Sequence, residues 1–371
     1  MSRSQRVLEM AREAGFDLAG LAPFAPPHRA DEFRRWLALG RHGDMDYLAE
    51  FGPRITDPPA HLPWGRSVLV VGLGHSRPPV STTDGARIAR YAAGRDYHNV
   101  VGKRLKLLAR DLRREGLLRE FKKVVDAGPL MERAHAARAG LGFESKAANL
   151  LHPRFGPWFF LGELVLDVEL EPTEAVPAGS CGTCTACIDA CPTGAIVAPG
   201  EVDARACISY LTIEQKGPND RELRAAAGDW LFGCDVCSEV CPWGQRAPDL
   251  AERFGTHAAV AELDVLDWLR APEKLETDVA GSPLQRAGVD GLLRNAIQFV
   301  GRRPRDEAGP MLAHLLTTAA APLVRDAAAW ALARAHGADA KARTALERRR
   351  EQEPVEWVRR GVEVELERLE R

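Results

Sequence analysis

Outside the stretch 181–241 this 371-residue chain has no cysteine, and nowhere does an uninterrupted apolar run reach the roughly 18 residues a membrane helix needs. The amino end, Met1-Ser-Arg-Ser-Gln-Arg-Val-Leu-Glu-Met10, carries charges where a secretion signal requires an apolar centre. Charge of one sign is also missing. With 50 basic and 52 acidic residues the formal charge is −2, so no global positive field advertises nucleic acid, and only a confined basic surface is compatible with such a partner. No Gly-x-Gly-x-x-Gly follows a strand, and Gly72-Leu-Gly74 is too short for a dinucleotide fingerprint. These absences leave a soluble cytoplasmic protein. Its length and 45% hydrophobic content suffice for large cores in two or three domains.

The eight cysteines are informative because of their crowding. Cys181-Gly-Thr-Cys184-Thr-Ala-Cys187-Ile-Asp-Ala-Cys191-Pro192 has the bacterial ferredoxin spacing, in which three thiolates hold one [4Fe-4S] cluster and the fourth turns to the other. A second group, Cys234-Asp-Val-Cys237-Ser-Glu-Val-Cys241-Pro242, follows a lone Cys207. If the groups exchange their last ligand, one cluster takes Cys181, Cys184, Cys187 and Cys241, and the other takes Cys191, Cys207, Cys234 and Cys237. Every cysteine is then used. Zinc in either group is the competing reading, whereas a disulfide framework belongs to small secreted chains. Ala186, Ile188, Ala195 and Ile196 would supply an apolar shell around a cluster.

Some 180 residues precede this block and about 130 follow it, which a bare electron carrier would not need. The amino-terminal part reads as α/β. Helical periodicity marks Gln5 to Ala14, Glu32 to Leu39 and Lys103 to Leu118; Arg66 to Gly74 is an apolar run of the buried-strand type. Phe121 to Asp126 reads as a strand broken by Ala127-Gly-Pro129, and Trp158 to Leu170 as a strand leading out of the domain. Asp126 at that strand end is a candidate acid, though such an aspartate is more often a turn cap. Tyr97, His98 and His152 are further donors in expected loops.

The carboxyl-terminal part shows two similar helices, around Gly291 to Val300 and Val324 to Arg334, each with an arginine near its start and a small-residue face. Such self-similarity suggests a short helical repeat. The charged segment Ala340 to Arg371 reads as an exposed capping helix.

Arg95-Asp-Tyr-His98, Asp126-Ala-Gly-Pro-Leu-Met-Glu-Arg133, Gly140-Leu-Gly-Phe-Glu-Ser-Lys146, Phe160-Leu-Gly-Glu-Leu164, Ile208-Ser-Tyr-Leu-Thr-Ile-Glu214 and Gly233-Cys-Asp-Val-Cys-Ser-Glu-Val-Cys-Pro-Trp243 together resemble the epoxyqueuosine reductases, over nearly the whole chain. The resemblance implies a multidomain α/β and α protein. Its parts would be an α/β cobalamin-binding catalytic domain over 1–174, a ferredoxin-like double [4Fe-4S] domain over 175–250 and a HEAT-like helical-repeat domain over 251–371. It implies reduction of epoxyqueuosine to queuosine at the wobble position of the tRNAs for Asp, Asn, His and Tyr, using cobalamin and two [4Fe-4S] clusters supplied by an electron donor that the sequence does not identify, in a monomeric enzyme.

By the same resemblance Asp126 is the proton donor, which suits a carboxyl kept protonated near neutrality by desolvation. Arg54, Tyr97, Asp126, Lys146, Ser209, Cys234 and Asp235 are the implied cobalamin-lining positions. Arg286, Arg294 and Asn295 are the implied RNA contacts. The chain departs from the family pattern at Ser145, Ala147 and Ala148 around Lys146, at Gly128, and at Gly244 after Trp243. Alternatives are a cobalamin-dependent reductive dehalogenase-like reductase, a ferredoxin-type electron-transfer protein and a repeat-based interaction protein.

Overall fold

The computed structural model describes residues 1–174 and 179–371. They form two compact units assembled from interleaved segments. The first comprises Met1–Pro78, Arg95–Arg205 and Asp235–Gly255; the second comprises Pro79–Gly94, Ala206–Cys234 and Thr256–Arg371. The cysteine-bearing stretch is therefore shared. Cys207 and Cys234 belong to the second unit and the other six cysteines to the first.

The first unit is built on a four-stranded sheet of β1 (Leu18–Pro23), β2 (Ser67–Gly74), β3 (Phe121–Val124) and β4 (Phe159–Leu166), in the order β1-β2-β4-β3. All its pairings are antiparallel. Every residue of β2 is buried, which explains its continuous apolar run: the strand is central and covered on both faces. The stretch expected to lead out of the domain is instead the inner strand β4, paired to β2 on one side and β3 on the other.

Three helices dress this sheet: α1 (Arg3–Glu13), α2 (Tyr97–Arg114) and α3 (Glu132–Arg138). A capping box starts α1, with Ser2 Oγ accepting the Gln5 N–H and the Gln5 side chain accepting the Ser2 N–H. Gly162 on β4 lets α2 approach, since a Cβ there would lie 2.8 Å from Leu105 and 2.9 Å from Val101. Neighbouring strand residues face opposite sides, so Glu163 points away from α2, to the face where α3 brings His135. The α2 helix starts at Tyr97, six residues before the start expected from its apolar stripe, because Asp96 caps it by accepting the His98 N–H at 2.9 Å. Tyr97 and His98 thus stand on a helical first turn, not in a loop.

In the second unit the strand Trp230–Phe232 runs parallel to Arg87–Ile88, which pairs antiparallel with Val80–Ser81. Helix α4 (Ile208–Ile213) precedes a helical array of α5 (Gly288–Arg302), α6 (Ala308–Thr318), α7 (Pro322–His336), α8 (Ala340–Gln352) and α9 (Glu356–Glu370). Within the array α7 packs against both α5 and α9, while α6 and α8 pack together as a second layer. Small residues set the spacing: a Cβ on Gly301 would lie 2.6 Å from Trp330 and 2.9 Å from Ala331. Residues 340–371 form two helices, not one exposed cap. Pro354, which cannot continue a helix and disfavours helical backbone at the residue before it, breaks them apart, and Glu353 at that break is buried against the guanidinium groups of Arg325 and Arg349.

Candidate active site and cluster-binding loops

The first chemical centre lies at the end of β3. Two residues past that strand, Asp126 adopts φ +54°, a left-handed conformation uncommon for a residue with a side chain. Its carboxylate Oδ2 accepts the Tyr97 hydroxyl proton at 2.5 Å and faces His98 Nε2 at 3.5 Å. The other imidazole nitrogen, Nδ1, stands 2.8 Å from Asp96 Oδ1. One helical cap therefore presents an aspartate, an imidazole and a phenol to the Asp126 carboxyl.

The electrostatics reverse the expectation of a protonated aspartate. Burial opposes the charge on Asp126, but hydrogen bonds from His98 and Tyr97 and the positive charges of His98 and Arg133 outweigh it and hold the carboxyl below the usual range. His98 moves the other way, pushed up to about 9 by its bonds to Asp126 and Asp96 against the cost of burial. At neutral pH the proton resides on the imidazole. The Asp126 side chain itself remains 63% exposed, so it presents an open carboxylate backed by a protonated partner.

Aromatic stacking rigidifies this arrangement. Phe160 of β4 lies flat between Tyr97 at 4.3 Å and His75 at 4.1 Å, and Tyr97 stacks on His98 at 4.2 Å. Behind the loop the backbone N–H of Asp126 donates to both carboxyl oxygens of Glu132, at 3.0 and 3.1 Å. Sequence reasoning assigned no role to Asp96, Glu132 or Glu163. The signal for Asp96 was its position just before a helix, obscured because the helix start was set at Lys103. His152 is elsewhere, bridged to Gly156, and its Nδ1 accepts the Arg154 N–H.

The second centre is the cysteine cavity of the first unit. Cys181, Cys184, Cys187, Cys237 and Cys241 line it together with Ser145, Asn149, Pro242 and Trp243. Cys187 is pushed up by burial and by the neighbouring Cys181 and Cys241 sulfurs, which would crowd negative charge at one place. Cys191 does not line this cavity. Although burial opposes a thiolate there, N–H groups of Thr193, Ala195 and Ile196 and the Thr193 hydroxyl hold it below the ordinary thiol range, the Ala195 N–H reaching Sγ at 3.3 Å. The fourth cysteine of the first run thus sits in its own nest of donors outside that cavity, while Cys237 of the second group lines it. Among the described residues no three His, Cys, Asp or Glu side chains are grouped to hold one metal ion. A cubane, which spreads its ligands over four irons, does not need them to be.

Several expected residues serve otherwise. The Lys146 ammonium donates to the carbonyls of Gly182, at 2.8 Å, and Cys184, at 3.0 Å, and so clamps the first cysteine loop. Arg133 donates to the carbonyl of Ala148, one of the departures from the family pattern, which sits at φ +59°. Arg54 lies on the short helix Gly52–Thr56 against Phe51, and Asp235 is buried at the start of the helix Val236–Glu239. Ser209, on α4, and Cys234 belong to the second unit.

The RNA contacts are corrected more sharply. Arg294 is 1% exposed, its guanidinium spent on the Leu211 and Gln215 carbonyls at 2.7 Å each and on Asn295. Asn295 is buried too and donates to the Thr212 carbonyl. Both tie down the carboxyl end of α4 from inside the second unit. Arg286 is exposed, and its guanidinium forms a two-bond pair with Glu214.

Thiolates gathered for clusters, and a carboxylate backed by a protonated imidazole, define an iron–sulfur oxidoreductase. Residues 180–244 match the family model for a 4Fe-4S double cluster binding domain, and residues 56–127 match the one described as "Epoxyqueuosine reductase QueG, DUF1730". The epoxyqueuosine reductase of Pseudomonas aeruginosa is 38% identical over 90% of this chain and 94% of its own length; that of Escherichia coli is 34% identical over 89% of each. A crystal structure of epoxyqueuosine reductase with a tRNA-Tyr epoxyqueuosine-modified tRNA stem loop is similar, with TM-score 0.87, 29% identity and coverage of 99% of this chain and 98% of that one. The Bacillus subtilis epoxyqueuosine reductase, in a structure with its catalytic aspartate loop swung out of the active site, has TM-score 0.85 at 28% identity and 98% coverage of each chain. This chain belongs to the epoxyqueuosine reductase family.

Proposed function

We propose that the protein reduces epoxyqueuosine to queuosine at the wobble position of the tRNAs for Asp, Asn, His and Tyr, as a cytoplasmic monomer. Loss of the epoxide oxygen breaks two C–O bonds and forms one C=C bond. It consumes two electrons and two protons, and the oxygen leaves as water. The observation that carries this reading is the open Asp126 carboxylate on His98 and Tyr97, in a chain of this family with a complete double-cluster cysteine set.

In this reading the segment 1–174 carries the chemistry, 175–250 the clusters and 251–371, a HEAT-like array, the RNA-binding surface. Cobalamin, when bound, supplies a two-electron reductant refilled one electron at a time through the two clusters. The exposed Asp126 carboxylate is the group of this cluster that faces outward toward such a cofactor, whereas Lys146 is already committed to the cysteine loop. Cys181, Cys184, Cys187 and Cys241 would hold one cluster; Cys191, Cys207, Cys234 and Cys237 would hold the other.

Asp126 sits between solvent-facing space and a proton reservoir. Its resting form is the carboxylate, so the proton it delivers to the opening epoxide comes from His98, while Tyr97 keeps the accepting oxygen aimed. Asp96 holds the imidazole and favours its protonated form. Single-turnover reduction of epoxyqueuosine tRNA by Asp126→Asn, matched to wild type for iron and cobalamin, should be slower by about 100-fold or more, because the amide cannot relay a proton. Wild-type turnover would exclude the role. Accumulated epoxyqueuosine in tRNA from cells lacking the gene would support the activity; unchanged queuosine would refute it.

A further inference from the structure

Asp126 keeps a backbone conformation that a side-chain-bearing residue holds only when its surroundings over-determine it. Two neighbours shape the turn without touching the Asp126 N–H. The Ala127 N–H bonds the Val125 carbonyl at 2.6 Å, and Gly128 lets the chain pass close to Val124, where a Cβ would lie 2.3 Å from a Val124 methyl. The Asp126 N–H goes to Glu132, shared between its two oxygens at 3.0 and 3.1 Å. We propose that Glu132 is a positioning residue for the proton transfer, a latch whose carboxyl fixes the left-handed backbone of Asp126 and thereby aims the Asp126 carboxylate at His98 and Tyr97.

The latch is itself anchored. Glu132 opens α3, and one turn later His135 of the same helix stands 3.1 Å from Glu163 of β4, both side chains fully buried. Glu163 pairs in register with Val124, the last residue of β3, so the strand that ends in the Asp126 loop and the helix that carries the latch are fixed to one sheet position. The groups acting on Glu132 are Glu163 and Asp126, which disfavour its charge, and Arg133 and the Asp126 N–H, which favour it. Burial is the largest influence and pushes its carboxyl well above the ordinary range. Either carboxyl oxygen of Glu132 accepts the N–H, and a glutamine keeps one such oxygen on the same stem.

This inference rests on the proton-relay reading of Asp126, but its test does not. Amide hydrogen exchange of the wild-type holoenzyme should show the Asp126 N–H protected. In Glu132→Ala its exchange should quicken by about 10-fold or more. The single-turnover rate should fall by about 10-fold or more while KM for tRNA, iron content and melting temperature stay near wild type, and Glu132→Gln should recover most of the rate and the protection. Should the alanine variant fail to fold, Glu132→Met keeps the stem and removes the acceptor. Unchanged exchange and rate in a folded variant lacking the acceptor would overturn the latch, as would a loss that glutamine does not restore. If Asp126→Asn turns over like wild type, the relay reading fails alone, and the exchange measurement still decides whether Glu132 holds the loop.

Discussion

At the residue scale the central feature is a division of labour between a carboxylate and an imidazole. Asp126 looked like an acid in need of a protonated form, yet the neighbours supplied by α2 keep it ionised and move the proton to His98. The sign of the pH dependence follows. A histidine raised from 6.5 to about 9 is protonated in the fold below that value, so its contribution to stability is fully present below about 6.5 and is lost as pH rises through about 9. Relay activity should fall over the same alkaline limb. In His98→Gln that limb should disappear along with most of the single-turnover rate; an unchanged alkaline limb would mean that another group carries the proton. Tyr97 was singled out as a cofactor-lining position because its segment carried the family resemblance. Its bond to Asp126 was not, because 29 positions separate the two and only the β4–β3 pairing and the start of α2 bring them together.

At the scale of elements, single side chains join segments that sequence periodicity treats separately. Lys146 clamps the Gly182 and Cys184 carbonyls, which places a positive charge on the loop that carries two cluster thiolates. A nearby cation favours the more negative, reduced cluster, so Lys146→Met should lower the potential of one cluster in an EPR-monitored redox titration and speed its loss in air. An unaltered titration would leave the lysine only a loop tie.

In the helical array, Glu353 accepts two bonds from Arg325, at 2.8 and 2.9 Å, and pairs with Arg349. Burial works to raise its pKa, but the Arg325 and Arg349 bonds and the Val355 N–H bring the carboxyl down to about 2. Its folded pKa lies below the unfolded one, so the stability it contributes is present above about 4.5 and is lost as pH falls through about 2. Glu353→Ala leaves the buried Arg325 charge with only the Ala319 and Ala320 carbonyls and no counter-charge, and should cost about 3–5 kcal/mol in denaturant unfolding. The charge-rich sequence of 340–371 suggested one exposed helix although Pro354 marks a break in it; the burial of Glu353 depends on Arg325, 28 positions away.

For the whole molecule, the two compact units are interleaved, where the sequence suggested three successive segments. Anaerobic protein should contain about eight iron and eight sulfide per chain, and Cys191→Ser should damage the cluster assigned to the other cysteine group. A folded protein holding zinc alone would refute both assignments. The sequence by itself determined the cluster chemistry, because thiolate spacing along the chain is also spacing around a cubane, and it determined the family, because several short motifs occurred in one order. Helix α1 and strand β2 were likewise local, encoded by periodicity, a capping box and a continuous apolar run.

Only the tertiary structure decided the protonation of Asp126, the reassignment of Lys146 and the burial of Arg294 and Asn295. Each depends on which polar groups a distant segment delivers to a side chain. An arginine near a helix start reads the same whether it faces a phosphate or the carbonyls of Leu211 and Gln215, and packing alone chooses between them.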